Sequence, residues 1–571
     1  MKNINLYKKN IESLIEREKY YSQRSCDWSM SVVFSSYDSY IIDQVDIYWP
    51  LVGDGIRPKV ISLDGSLCLL KKIIDDRRVF DAYFNTINST SISIARTAYK
   101  IMEMSVQNQI PVDAISKRIA RFKRGKKTDQ TYNDLNNLII EYRSILNKNN
   151  IYDRPMIYEN FCGLLDSANY PDNLKAIGKN IVSDNSISEK FRSNKINKDD
   201  RIEGKTRNII QNHDYSSYQD MKNGLINLIY SLKNDKGISQ DDIAIVVPSL
   251  NEDIISMDID ISPTLDIRPI AVSKNFGSNL EAVVCLAALA IYKDCEYILS
   301  DEEKIELLTV VYKDKNYIDL RKNMKKYLKE VRNNIRNNMS PVLDLDSIDD
   351  GDDPSLISID RIEESIAEAE FSYEYRMSDS EFVKNFYKKY VNQTPESISM
   401  VAKMTDLIEE LGDLVDDESK YNYMRQAISY YSSSKVKLEN MAMPSILLMT
   451  KEDLKSLDTK RNHLIVFDAS SKRYDPVLED SIYSQIGFFD DSILSNITKD
   501  NISLFYKDLM EYSIDLEIDR VLSKYKNVYI MTSDTAINGY EQENMFYKNL
   551  WTGFFSGGGI CLLTIEKTKR R

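Results

Sequence analysis

Five consecutive residues, IAIVV at 243–247, carry no polar side chain, and Pro248 stops them. A strand with one wet face alternates apolar and polar residues. A strand with no polar side is buried on both faces, the condition of a parallel sheet covered by helices. The run is fed by YQDMKNGLINLIYSLKNDKG, a helical pattern that closes in a turn at Gly237. A helix leading into such a strand is the mark of an α/β fold. Three runs of the same kind follow residue 435: SILLMT, HLIVFD and NVYIMTSD, ending at Thr450, Asp468 and Asp534. If one core owns all four, then Ile243–Val247, Ser445–Met449, Leu464–Phe467 and Val528–Met531 lie side by side in one parallel sheet.

The rest of the chain reads mainly as helix. At 571 residues it is long enough for several domains. Residues 1–55 mix a polar helix with two apolar segments, SMSVVFSSY and YIIDQVDIYWPLVG, the second closed by Pro50 and Gly53. Residues 66–166 are helical almost throughout. Ile94, Ala98, Ile101 and Met102 share one face, and Leu135, Leu138, Ile139, Tyr142, Ile145 and Leu146 share another. Residues 167–210 are polar and interrupted by Gly and Asn, which predicts a linker. A second apolar helix is expected at LEAVVCLAALAIYK. Over 313–339, Leu320, Met324, Leu328, Val331, Ile335 and Met339 recur at helical spacing among many Lys and Arg. The LDLDSIDDGDDPSL stretch after it reads as an acidic linker, because Ile348 interrupts the alternate acids of a calcium loop.

Composition narrows the chemistry. Hydrophobic residues at 42% and charged residues at 29% describe a globular chain. No run of eighteen apolar residues exists to span a membrane, and MKNINLYKKNIESLIEREKYY lacks the apolar centre of a secretion signal, so a cytoplasmic protein is expected. The six cysteines form no CxxC and read as buried free thiols. With only His213 and His463 present, neither a zinc site nor a histidine triad is expected, and no metal, cofactor or catalytic residue is assigned.

A net charge of −13 opposes indiscriminate attraction to nucleic acid, which leaves local basic stripes as the way to contact it. The strongest is KRIARFKRGKK, residues 117–127, where seven of eleven residues are Lys or Arg. Lys117, Arg118, Arg121, Phe122, Lys123 and Arg124 are the candidate nucleic-acid contacts, the cations tracking a phosphate backbone and Phe122 stacking on a base. The plainer alternative is a solvated helix face. The same segment is the nearest approach to a phosphate-binding loop and fails as one. Ala120 stands where the first glycine belongs, Lys127 stands where Ser or Thr belongs, and no strand precedes it. An Asp453/Lys455 pair fits a metal nuclease only by chance, with no strand beside it.

The order of segments over about 215–550 resembles the second half of a superfamily 1 helicase of the UvrD type. More closely, it resembles the helicase-like cores of RecC/AddB-type subunits of bacterial recombination helicase–nuclease complexes. GISQDDIAIVVPSL is similar to the strand that opens the second motor domain. MPSILLMTKEDL and HLIVFDASSKRYDP are similar to the paired strands that end in a proline, here Pro476. LFYKDLMEYSIDLEIDRVLSKYKNVYIMTSD is similar to the closing helix and strand, and NGYEQENMFYKNL to the segment after it.

An active motor of this family carries Thr-Arg at that last helix–strand junction, where the Arg reaches a nucleotide phosphate. Ser523 and Lys524 stand there instead, and lysine lacks the planar fork that grips phosphate in two places. The resemblance therefore implies a multidomain α/β protein with a helical N-terminal region and a P-loop-helicase-like parallel sheet carrying a helical insertion. The expected domains are a first-motor remnant at 1–65, a helical accessory domain at 66–166, a linker at 167–210, the opening of the second helicase-like domain at 211–300, a helical insertion with its acidic linker at 301–434, and the rest of the α/β domain at 435–571.

The implied function is a catalytically inactive, DNA-binding subunit of a double-strand-break repair or recombination complex. Its partners would be a single strand or duplex end and a helicase or nuclease subunit. Two alternatives stay open. One is a subunit of an ATP-dependent helicase/nuclease whose active parts lie on another chain. The other is an interaction or structural protein with no nucleic-acid role.

Overall fold

A computed structural model describes residues 3–7, 32–80, 88–120, 128–186, 188–189, 209–249, 267–269, 273–275, 280–293, 295–311, 318, 321–322, 378–427, 429–431, 445–451, 461–474, 486–498, 501–505, 525–541 and 563–565. The chain is a multidomain α/β protein made of two compact units. The first comprises Met1–Val60, Lys100–Val272 and Ser434–Arg571, and the second Ile61–Tyr99 and Ser273–Ser433.

The first unit is built on a seven-stranded parallel sheet. In chain order its strands are β5 (Ile209–Tyr215), β6 (Ile243–Val247), β7 (Ile267–Pro269), β10 (Ile446–Thr450), β11 (His463–Val466), β12 (Asn527–Ser533) and β13 (Leu563–Ile565). Across the sheet the order is β13-β5-β12-β11-β6-β10-β7. The four runs expected to assemble are therefore contiguous, β12-β11-β6-β10, with Val466 level with both Val246 and Ile530. Their bounds move by a residue or two from the apolar runs, because pairing rather than side-chain type sets where a ladder ends.

Both faces of these strands are buried, as an unbroken apolar run requires. One face, formed by Ile243, Ile245, Val247, Ile446, Leu448, Ile465, Phe467, Tyr529 and Met531, packs under the helix Tyr218–Tyr230. That helix presents Tyr218, Met221, Leu225, Leu228 and Ile229, spaced three and four apart, and the Ser217 side chain caps it by accepting from Asp220 N. Ala244, Val246, Leu447, Met449, Leu464 and Ile530 are buried on the other face. At the amino ends of the strands, Arg461 Nη1 donates to the carbonyls of Gln240 (3.2 Å), Ile243 (2.7 Å) and Ser445 (2.7 Å), pinning the entries to β6 and β10.

The same unit holds a parallel pair, β1 (Asn3–Tyr7) with β2 (Val32–Ser36), and α1 (Tyr37–Ile47), which packs on α6 (Arg154–Asp166). Between these lie α4 (Val112–Ala120) and α5 (Thr128–Lys148). The 167–210 stretch, predicted as a linker, contains the helix α7 (Asp172–Asn185). Its glycine, read as an interruption, is a site of close packing: a Cβ on Gly178 would sit 2.4 Å from Leu165 Cδ2 and 3.0 Å from Phe161 Cζ.

The second unit is helical. The apolar run at 280 forms α9 (Leu280–Tyr292), buried around most of its circumference by α10 (Asp301–Val311), α11 (Asp379–Tyr390), α12 (Pro395–Leu411) and α13 (Asp417–Ala427). A helix apolar on all sides belongs at the centre of such a cluster. At its end Lys293 pairs with Asp379 (3.2 Å) and Asp417 (3.3 Å). The 66–166 block, expected as one helical domain, is divided between the units within α3 (Ser91–Gln107), at Tyr99 and Lys100. Most of the 313–339 stretch and the whole acidic stretch after it lie outside the described residues.

Candidate nucleic-acid interface

In open parallel sheets ligands bind beyond the carboxyl ends of the strands, where loops are held by a rigid base. Here the chain leaves β11 through Phe467 and Asp468, and Asp468 has φ 55°, a left-handed conformation that Asp tolerates better than most residues. The turn sends Ala469–Tyr474 back over the strand ends. Ala469 N donates to Met531 O at 2.8 Å, and Ser470 both donates to Ser533 O (3.1 Å) and accepts from Ser533 N (3.2 Å). The buried Tyr474 hydroxyl reaches Val246 O (3.0 Å) and Phe467 O (2.9 Å). The loop is thereby tied to β12 on one side and β6 on the other.

This rigid base lifts Lys472 and Arg473 into solvent while Tyr474 stays buried between the strands. Arg473 donates to Ser249 Oγ, just past the end of β6, and Lys451, just past β10, reaches Tyr474 O at 3.5 Å. Three cations thus mark the carboxyl ends of three adjacent strands, β10, β6 and β11.

Beside them, β12 continues into a tight hairpin closed by a bridge between Thr535 and Glu541. Ala536 N donates to Tyr540 O (2.8 Å) and Gly539 N to Ala536 O (2.9 Å), with Gly539 at φ 80°, where a side chain would be strained. Its base is fixed to the end of β5 through Asp534 N to Tyr215 O (3.0 Å) and Thr535 Oγ1 to Ser216 O (3.4 Å). The hairpin exposes Tyr540 to 74% and Ile537 to 59%. Cations at the ends of β10, β6 and β11, with an exposed aromatic ring on the hairpin that follows β12, provide the two elements a single nucleic-acid strand needs: backbone neutralisation and a stacking surface. None of Lys451, Lys472, Arg473 or Tyr540 stands out in the sequence. Single cations in loops have no periodicity, and only the sheet brings them together.

The basic stripe has a divided fate. Lys117 is exposed on α4. Arg118 is engaged within the chain: Nε donates to Gly487 O (3.0 Å), Nη2 to Phe489 O (2.6 Å), and Nη1 pairs with Asp491 (3.0 Å). Arg121, Phe122, Lys123 and Arg124 lie outside the described residues, as do Ser523, Lys524 and Pro476. Among the described residues no group of His, Cys, Asp or Glu is arranged to hold a metal ion, and no helix is long and apolar enough to cross a membrane. No family model and no curated protein matches the chain.

Proposed function

We propose that the chain is a catalytically inactive, helicase-like subunit that binds DNA in a cytoplasmic double-strand-break repair or recombination complex, with the active motor or nuclease on a partner subunit. The observation that carries this reading is the adjacency of β12, β11, β6 and β10 in one parallel sheet. The resemblance to RecC/AddB-type cores rests on four separate segments, and it requires them to be neighbours. The cations and the exposed Tyr540 at the carboxyl edge of that sheet fit a DNA strand held by backbone charge and stacking, without base-specific readout. Ser523 and Lys524 in place of Thr-Arg, with no phosphate loop, support the loss of ATP hydrolysis.

The test is binding of the full-length chain to a fluorescent oligothymidine over a salt series. Wild type should bind, and the double variant Lys472→Gln/Arg473→Gln should bind more weakly with a salt slope smaller by about 1.4, the loss of two single-strand phosphate contacts. A chain that ignores single-stranded and duplex DNA at low salt removes the reading, and ATP hydrolysis by the isolated chain overturns its inactive character.

A further inference from the structure

The sequence contains two Asn-Gly pairs, Asn223–Gly224 and Asn538–Gly539. Such a pair is open to a reaction that needs no enzyme. The glycine backbone nitrogen attacks the asparagine side-chain carbon Cγ, and glycine has no Cβ to obstruct the approach. The nitrogen gives its proton to water, the Cγ–Nδ2 bond breaks, and ammonia departs to leave a cyclic succinimide. Water then adds to either ring carbonyl and opens the ring to aspartate or to isoaspartate, whose backbone is longer by a methylene. Ring closure requires the peptide after Asn to rotate until its nitrogen meets Cγ, so the fold decides which pair reacts.

Both asparagines are exposed, and each Oδ1 accepts a hydrogen bond at 3.4 Å, from Gln219 Nε2 to Asn223 and from Tyr540 N to Asn538. Their backbones differ. Asn223 lies within the helix Tyr218–Tyr230, and Gly224 is buried so closely that a Cβ there would collide with the Tyr215 side chain at the end of β5. That peptide cannot swing without breaking the helix and parting it from the strand. Asn538 sits at the tip of the hairpin after β12. The attacking nitrogen of Gly539 is held by a turn bond to Ala536 O (2.9 Å). Among the described residues, no atom beyond its chain neighbours lies within 4 Å of where a Gly539 Cβ would stand. The Tyr540 N bond lays the Asn538 amide across the Gly539 peptide, the side chain bonding to backbone two residues on. Release of the exposed turn bond is the barrier that the fold adds, and exposed turns open more readily than helices packed on a sheet.

We propose that Asn538 deamidates spontaneously in the folded chain while Asn223 is protected, and that the carboxylate so formed lowers the affinity of the sheet edge for a nucleic-acid strand. The second half rests on the DNA-binding reading, and the first does not. The new charge stands on the same hairpin as Tyr540, after the strand that pairs with β11, where it repels phosphate. The isoaspartate form also lengthens the tight turn and shifts Tyr540 from its place.

The test ages the full chain for days in mildly alkaline buffer. Peptide mass spectrometry follows the amide-to-acid mass gain at each asparagine, and isoaspartyl methyltransferase labelling counts isoaspartate. We expect Asn538 to convert about tenfold or more faster than Asn223 in the folded chain, and the two to convert at similar rates in guanidinium. Fresh Asn538→Asp and aged wild type should bind oligothymidine about threefold more weakly than fresh wild type at low salt. Aged Asn538→Ser, which cannot close the ring, should bind as it does when fresh. An Asn538 that keeps its amide, or equal conversion of both asparagines in the folded chain, overturns the proposal. Unchanged binding by Asn538→Asp overturns its second half. A fresh wild type that binds no oligothymidine overturns that half together with the DNA-binding reading, and the mass measurement still decides the first.

Discussion

The Tyr474 hydroxyl lies 3.0 Å from the carbonyl oxygen of Val246, so the loop leaving β11 is fastened to the neighbouring strand β6 by a side chain with almost no exposure. One proton serves two carbonyls, Val246 and Phe467, both at the carboxyl ends of strands. Tyr474→Phe keeps the ring and removes the fastening. The two buried carbonyls lose a donor, at a cost of about 1–2 kcal/mol of stability. Urea unfolding followed by tyrosine fluorescence should show that loss. Amide exchange should speed up at Ala469 and Ser471, and a variant indistinguishable from wild type in both would remove the fastening role.

Tyr540 tests stacking separately from charge. Its ring is 74% exposed on a hairpin held to the end of β5, so truncation leaves the fold intact. Tyr540→Ala should weaken single-strand binding by about 1–3 kcal/mol, whereas Tyr540→Phe should bind as wild type. The salt slope should be the same in all three proteins, because no phosphate contact changes. An altered slope with an unaltered affinity would assign Tyr540 elsewhere.

At the opposite end of the sheet Arg461 converges on three backbone carbonyls, and burial holds its guanidinium below its ordinary pKa. Arg461→Met preserves much of the stem and withdraws the donors. With three acceptors left short, we expect about 3 kcal/mol of destabilisation, larger than for an exposed arginine such as Arg57. Equal melting temperatures for Arg461→Met and Arg57→Met would exclude the pinning role.

How far the sequence foretells this molecule depends on how each strand is buried. β6, β10, β11 and β12 are covered on both faces and show as unbroken apolar runs. β5 lies in the same sheet but reads IIQNHDY, with four polar residues in a row after its two isoleucines. The nearly inaccessible Asn212 donates to Asp214 Oδ1 (2.8 Å), and Thr532 from β12 donates to the same atom (2.5 Å). No periodicity signals such a strand. Gly178 misleads in the opposite sense, since close helix contact and chain interruption call for the same residue. Charge is the least legible property. Arg118 sits in the densest basic run of the chain and is held by Gly487, Phe489 and Asp491, whereas Lys451 and the Lys472–Arg473 pair come from the loops after two different strands, β10 and β11, and stand at one edge of the sheet. Density along a chain is not density in space.

Asp153 gives the protein a pH dependence whose sign is opposite to that of a salt-bridged acid. It caps α6 by accepting from Met156 N (2.8 Å) and also accepts from the Tyr142 hydroxyl (3.0 Å), with no exposure to solvent. Burial outweighs these bonds and pushes its carboxyl up to about 6. The unfolded chain has the ordinary value near 3.9, so between about pH 4 and 6 the folded state holds the extra proton. The stability contributed by this group is fully present below about pH 4 and is lost as pH rises through 6, a change of about 3 kcal/mol. Asn is a good helix cap that does not titrate. The difference in unfolding free energy between Asp153→Asn and wild type should therefore move by about 3 kcal/mol in the variant's favour from pH 4 to pH 7, then stay level. A difference that is constant across that range would mean that Asp153 is ionised throughout, and that Met156 N and Tyr142 outweigh its desolvation.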